Sequence, residues 1–182
     1  HQHNQPLETG RLLLLDFGCR YYNVPADISR TIPVNGRFNP LQRLLYTLVL
    51  EAQVHVESML KPGITIQELN TACWHHMETN LKERFTNQGG TMTRAYTHQP
   101  HNVSHLIAHA VHDGDPTRAY RTIPLQPGMV ISNEPGLYGT FSITLDGTSY
   151  HEKIGIRIDI QPKSRFFMKP LLKEIIANNG NI

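Results

Sequence analysis

The chain predicts an α+β domain, and three stretches carry that expectation. An apolar run, Arg11 to Leu15, stops at Asp16; a row of leucines with helical spacing follows Asn39-Pro40; isoleucines alternate from Ile154 to Ile160. No internal repeat or low-complexity linker separates these blocks, so residues 1–182 read as a single domain. A chain of this length buries an adequate core.

The elements follow in order. "RLLLL" reads as a strand buried on both faces, and "GCRYYNVPADISRTIPV" as a second strand returning antiparallel to it. "NGRFNP" is a turn in which Asn39 caps a helix and Pro40 takes its first position. Leu41, Leu44, Leu45, Leu48, Val49 and Ala52 then line one helical face up to "KPG". Thr65 and Glu68 form a capping box, and Ile66, Leu69, Cys73, His76 and Met77 continue a second helix to about Leu81. Residues 83–100 read as a polar connection, Met129 to Asn133 as a strand between Pro/Gly turns, and "KIGIRIDIQ" as a strand with Ile154, Ile156, Ile158 and Ile160 on its core face. Gly155, Arg157 and Asp159 lie on the other face.

Bulk properties remove several function classes. Apolar residues make up 39% and charged residues 18%, and no apolar run approaches the roughly twenty residues of a membrane span. A net charge of +2 with acids and bases interspersed offers nothing to nucleic acid or an anionic membrane. Cys19 and Cys73 lie far apart and form no C-x-x-C pair, so neither a disulfide framework nor a thiolate zinc site is expected, and a reducing cytoplasm is the expected compartment. The chain opens with His1 instead of Met and carries no secretory pattern, which raises the expectation of a processed chain or a fragment.

The chemistry is expected at strand ends. Asp16, Glu134 and Asp159 each close or interrupt an apolar strand and should lie near the core, where a charge must be paired or must bind a metal. Arg30 and Arg157 can serve at most two of these acids, leaving Asp27 and one other; an internal ion-pair network is the bland alternative. Carboxylates with one or two histidines suit Mn2+, Co2+ or Fe2+, with Zn2+ also allowed, and a pair of such ions is suited to hydrolysis. Five of the eleven histidines fall in "HQPHNVSHLIAHAVHD". His101, His105 and His109 would share a helical face as a zinc site does, but Pro100, Gly114 and the β-branched content argue against a helix there. His98 and His109 read as filler, and His55, His75 and His151 as surface or satisfied polar groups.

With these residues in hand, the chain resembles the aminopeptidase P and prolidase group of metallopeptidases, which have the creatinase or "pita-bread" fold. "LLLLDFGCRYYNVPADISRTIPVNGRF" is similar to that group's D-x-G and D-[IL]-[ST]-R-T-x-P-V-N-G-[KR]-F words, "HNVSH" to H-x-x-[GS]-H, "LQPGMVISNEPGLY" to L-x-P-G-M-V-x-[TS]-x-E-P-G-x-Y, and "GIRID" to G-[IV]-R-I-E. The resemblance runs from about residue 3 to 175, and "PVNGRF" and "LQPGMV" favour this group over methionine aminopeptidases.

The resemblance implies two divalent ions, Mn2+ foremost, held by Asp16, Asp27, His105, Glu134 and Asp159. It implies Glu134 as proton carrier, His112 as hydrogen-bond donor to the developing oxyanion, Arg157 as orienter of the acids and His101 as a wall of the pocket. The implied activity is that of a Xaa-Pro aminopeptidase acting on peptides with proline in second position. An Xaa-Pro dipeptidase and a non-catalytic binding module are the alternatives. Members of the group are often dimers or tetramers, so a homo-oligomer is allowed. The group has further elements upstream of Asp16, so the fold is expected to be incomplete on its N-terminal side, and His1 or His3 stands nearest to a further histidine of the group.

The chain also departs from the pattern. Asp159 replaces a glutamate, shortening the arm by roughly 1.5 Å, one C–C bond, whereas metal distances are tolerated within about 0.2 Å; a weaker second ion is expected. Ala108 and Ala110 replace a glycine and an acid, Val24 and Pro25 stand where a tyrosine and a small residue are usual, and Ser132 keeps the hydroxyl of a threonine.

Overall fold

The structure, a computed structural model, describes residues 6–94, 100–114 and 116–159. Strand β1 (Leu12–Phe17) is followed by a minute hairpin, β2 (Arg20–Tyr21) and β3 (Val24–Pro25), and then by β4 (Ile28–Pro33), which returns antiparallel on β1 with Leu12 opposite Pro33 and Phe17 opposite Ile28. Tyr22 and Asn23 turn the hairpin at φ of 44° and 63°. Two consecutive left-handed residues match the right-handed twist of the flanking strands. Gly18 marks a close approach. A Cβ there would sit 1.9 Å from the Ala26 carbonyl oxygen, so no side chain fits.

The expectation that β1 is buried on both faces is overturned. Its residues are half-buried or exposed, with Leu15 37% and Phe17 55% accessible. The reason is topological: among the described residues the β1–β4 sheet has two strands, and no layer covers its outer face.

Helix α1 (Pro40–Met59) starts as the capping signals require. The Asn39 side chain accepts from the Gln42 amide, and the Gln42 side chain accepts from the Asn39 N–H. The leucine row is buried, Leu41, Leu45, Leu48, Val49 and Ala52 among it. Helix α2 (Ile66–Arg84) repeats the device with Thr65 and Glu68 and runs one turn past the expected end. The region read as a polar connection contains a strand, β5 (Thr91–Arg94). After the short pair β6 (Leu106–Ile107) and β7 (Val130–Ile131) come two long strands, β8 (Gly136–Leu145) and β9 (Thr148–Arg157), joined by an Asp146-Gly147 turn at φ of 48° and 76°. The antiparallel order β5-β8-β9 forms the main sheet.

Helix α1 packs against β8 and β9 of that sheet, and α2 packs on α1. Leu48, Leu69, Met77, Leu81, Phe141 and Ile156 are among the buried side chains of one continuous core. Fully burying such a side chain contributes about 1.5–3 kcal/mol. Ile154, Ile156 and Ile158 face it as expected; Ile160 lies outside the described residues, as do His1, His3 and His98.

β4 closes onto the far end of β9. The Thr31 hydroxyl accepts from the Arg157 N–H at 3.1 Å and donates to the Arg157 carbonyl at 3.0 Å, and the Asp159 N–H reaches the Ser29 carbonyl at 3.1 Å. This junction brings the exposed two-stranded sheet to the edge of the core, and it is where the acids gather.

Candidate functional site

Four backbone segments converge at the junction. The β1–β4 unit carries Asp16 and Asp27. The segments around His105 and Glu134 run antiparallel, tied by Ser132 N–H to His105 carbonyl at 3.0 Å and Glu134 N–H to Val103 carbonyl at 2.8 Å. Arg157 and Asp159 arrive at and just beyond the end of β9. Between them lies a cavity of about 230 Å3 lined by Asp16, Asp27, His112, Glu134 and Arg157 together with Phe17 and Gly18.

Asp27, His105 and Glu134 are buried and meet at one point. His105 Nε2 is 3.2 Å from Asp27 Oδ2 and 3.0 Å from Glu134 Oε1. One donor atom from each of these residues and from the exposed His112 falls within 4.8 Å of the others. The His105 and His112 rings lie 4.2 Å apart at 35°. The other ring nitrogen of His105, Nδ1, faces the Leu106 carbonyl at 3.1 Å. A carbonyl there accepts from Nδ1–H and leaves Nε2 facing the acids, so that loss of the Nε2 proton would give the usual arrangement of a metal-binding imidazole.

Two serines tie the acids to their surroundings. Ser132 Oγ accepts from the His105 N–H at 3.0 Å and donates to Glu134 Oε1 at 3.2 Å. Ser29 Oγ accepts from Arg157 Nε at 2.8 Å and donates to Asp16 Oδ1 at 3.1 Å. The sequence reading missed Ser29; its place between Asp27 and Arg30 was the available signal. Arg157 pairs with Asp16 Oδ2 and stands 3.6 Å from Glu134 Oε2.

The carboxylates perturb one another. Burial, then the Glu134 charge, raises Asp27 above the usual aspartate range. Burial, then Glu134 and Asp27, pushes Asp159 up to about 7. Burial works against the Glu134 carboxylate, yet the hydrogen bond and charge of His105, with Arg157, hold it below its ordinary value. Burial likewise disfavours the His105 cation, and the bond to Glu134, the Leu106 carbonyl and the charges of Glu134 and Asp27 outweigh it, so that His105 is raised.

Whether these residues fit a cation is answered by what the ion-pair alternative leaves over. Arg30 reaches only carbonyls, those of Ser29 and Asp159, so Arg157 is the guanidinium that serves the acids among the described residues. Asp159 is fully buried; its Oδ1 accepts a long 3.4 Å bond from the Asn133 N–H and its Oδ2 has no partner among the described residues. A buried acid with an unpartnered oxygen beside two further acids is an excess of negative charge that a divalent ion would neutralise. The donor set, oxygens with one or two imidazoles, fits.

The structure distributes the expected residues unevenly. Asp27, His105 and Glu134 come together, with His112 at the mouth. Asp16 does not lie near the core as expected: its side chain is 50% accessible, because the strand that carries it is exposed, and it faces Arg157. Asp159 is buried behind the group, outside the 4.8 Å set. His101 is half-buried with Nε2 3.2 Å from the Tyr138 hydroxyl. Residues 100–114 form bends around β6 and no helix, so His101, His105 and His109 share no helical face and the three-histidine reading falls; His109 is exposed.

Comparisons with known proteins give the family and the fold. The model of metallopeptidase family M24 matches residues 1–160. Xaa-Pro aminopeptidase 3 of Rattus norvegicus is 35% identical over 161 residues, covering 87% of this chain and 31% of that protein. The Escherichia coli Xaa-Pro aminopeptidase is 34% identical over 158 residues, covering 84% of this chain and 35% of its own length. The solved structure of zinc-substituted E. coli aminopeptidase P in complex with product superposes with a TM-score of 0.69 at 32% identity, over 88% of this chain and 37% of that one. The chain thus spans about a third of the length of these relatives, and its mixed helix and strand layout matches part of their pita-bread fold.

Proposed function

The chain belongs to metallopeptidase family M24, and from that premise we propose that it acts as a Xaa-Pro aminopeptidase, hydrolysing the bond between an N-terminal residue and a penultimate proline. The convergence of Asp27, His105, Glu134 and His112 donor atoms within 4.8 Å carries the proposal. The names of the relatives support the substrate class. Residues 1–182 are taken as the central and C-terminal portion of one catalytic domain, and a cytoplasmic location as its setting; a homo-oligomer is compatible with both.

Asp16, Asp27, His105, Glu134 and Asp159 would hold two divalent ions, Mn2+ foremost, with Co2+, Fe2+ or Zn2+ as alternatives. When bound, such ions supply Lewis acidity that acidifies water and polarises the scissile carbonyl. Glu134, held as a carboxylate by His105 and Arg157, accepts a proton from the attacking water and delivers it to the departing proline nitrogen. His112, exposed on the cavity wall, donates a hydrogen bond to the carbonyl oxygen as it gains charge. Arg157 keeps Asp16 and Glu134 in register, and His101, braced by Tyr138, shapes the approach.

The test is a metal count joined to a cleavage series. Protein equilibrated with Mn2+ should carry about two ions per chain by elemental analysis, and should cleave an Xaa-Pro-Xaa tripeptide but not its alanine counterpart. No tightly held metal and no cleavage would replace the enzyme with a binding module; cleavage of Xaa-Pro dipeptides alone would replace the aminopeptidase with a dipeptidase.

A further inference from the structure

Gln53 lies in the middle of α1, 1% accessible, far in sequence from every residue of the site. Burying a primary amide in a helix–sheet interface is costly unless its hydrogen bonds are made, and ordering a long side chain adds to the cost. Leucine would pack there without either penalty. Both Gln53 N–H groups are used: Nε2 donates to the Asn133 carbonyl at 3.0 Å and to the Ile158 carbonyl at 3.1 Å. These are the carbonyls immediately preceding Glu134 and Asp159. In return the Asn133 side chain donates to the Gln53 main-chain carbonyl at 3.0 Å, although the carbonyl lies within the helix. The Asn133 N–H is also the group that holds Asp159 Oδ1.

We infer that Gln53 is a positioning residue for the acid pair: one amide grips the peptide units before Glu134 and Asp159 and so fixes the separation of two carboxylates that arrive on different segments. The inference rests on the reading of the site as a metal centre. Its physical logic is that of a two-pronged clamp. The β8–β9 ladder between the two segments ends at Gly136 opposite Arg157 and a long 3.4 Å bond from the Ile158 N–H to the Pro135 carbonyl; past that end, the Gln53 amide and the Asn133 N–H are the ties that hold the Glu134 and Asp159 peptide units at a fixed spacing. Gln53 Oε1 makes no hydrogen bond among the described residues, which leaves the paired donors as the reason for having an amide there.

Gln53→Met keeps length and volume and removes both donors. In the intact protein, Mn2+ affinity measured by calorimetry should fall by about 10 to 100-fold, the range for losing a group that orients a ligand. Val49→Ala, on the buried face of the same helix, serves as the control for lost stability. Thermal unfolding followed by circular dichroism identifies the temperature at which both variants remain folded, and calorimetry is run there. Weaker Mn2+ binding in Gln53→Met with parental affinity in Val49→Ala supports the clamp. Parental affinity in Gln53→Met, or an equal loss in Val49→Ala, overturns it while leaving the metal centre in place. A parent protein that binds no Mn2+ overturns the metal centre and the clamp together.

Discussion

Asp159 is one methylene shorter than the glutamate that the resemblance implies at its place, and on the proposed reading that methylene governs how tightly a second ion is held. Its side chain is buried, lies outside the group of donor atoms formed by Asp27, His105, His112 and Glu134, and has one oxygen without a partner among the described residues. Asp159→Glu should therefore raise the amount of Mn2+ retained after dialysis, read by elemental analysis, by tightening the weaker of two sites. His112→Ala should lower kcat by about 10^2 to 10^3, the usual cost of one oxyanion donor, in a steady-state assay on an Xaa-Pro-Xaa peptide. Away from the centre, His76 on α2 stacks on His55 of α1 with ring centroids 4.6 Å apart at 12°. Burial, then the neighbouring His55, lowers the His76 pKa below 6.5. A depressed histidine pKa means that its contribution to stability is present above 6.5 and is lost as pH falls through the lower, folded value. The thermal midpoint should drop as the pH falls from 6.5 towards that lower value, and should drop less in His76→Gln.

The two helices were the most legible elements, because their caps and leucine spacing are local and the same residues that start a helix also bury one of its faces. Asn39→Ala should lower stability by about 1 kcal/mol in urea unfolding, through loss of the box with Gln42. Helix α2 also hides one of the two thiols. Burial pushes Cys73 up to about 12, whereas Cys19 is exposed. A thiol reagent near neutral pH should therefore label one cysteine in the native protein and two in denaturant. The strands were less legible. β5 was read as a polar connection because it lies at the edge of a sheet and its sequence, Thr91 to Arg94, alternates weakly. The β8–β9 hairpin is half legible: the isoleucines mark β9, whereas β8 is marked by the Asp146-Gly147 turn alone. At the site, ligand types were readable as acids stranded in apolar runs. Arg157 is legible as their counter-ion; Ser29 and Gln53 are not, because Ser29 joins Asp16 to an arginine 128 residues away and Gln53 acts through backbone carbonyls, and neither leaves a periodic trace.

Taken whole, the molecule has a well-covered helix–sheet layer and a poorly covered two-stranded one. Leu15, Phe17 and Ile32 of β1 and β4 are all more than a third accessible, next to the apolar Tyr21, Tyr22 and Val24 of the small hairpin. Such a surface, on a sheet of two strands, is a template for association. Sedimentation velocity on this 182-residue chain should show concentration-dependent self-association, reduced in Ile32→Lys. The same uncovered unit is nonetheless pinned at its centre, where the chain doubles back so tightly that the Gly18 main chain nearly touches Ala26. For a laboratory library or for natural drift, this makes position 18 a fixed point beside a tolerant surface. Neighbouring Phe17 and Cys19 are exposed and can vary, but every exchange at Gly18 would force apart the two arms that carry Asp16 and Asp27.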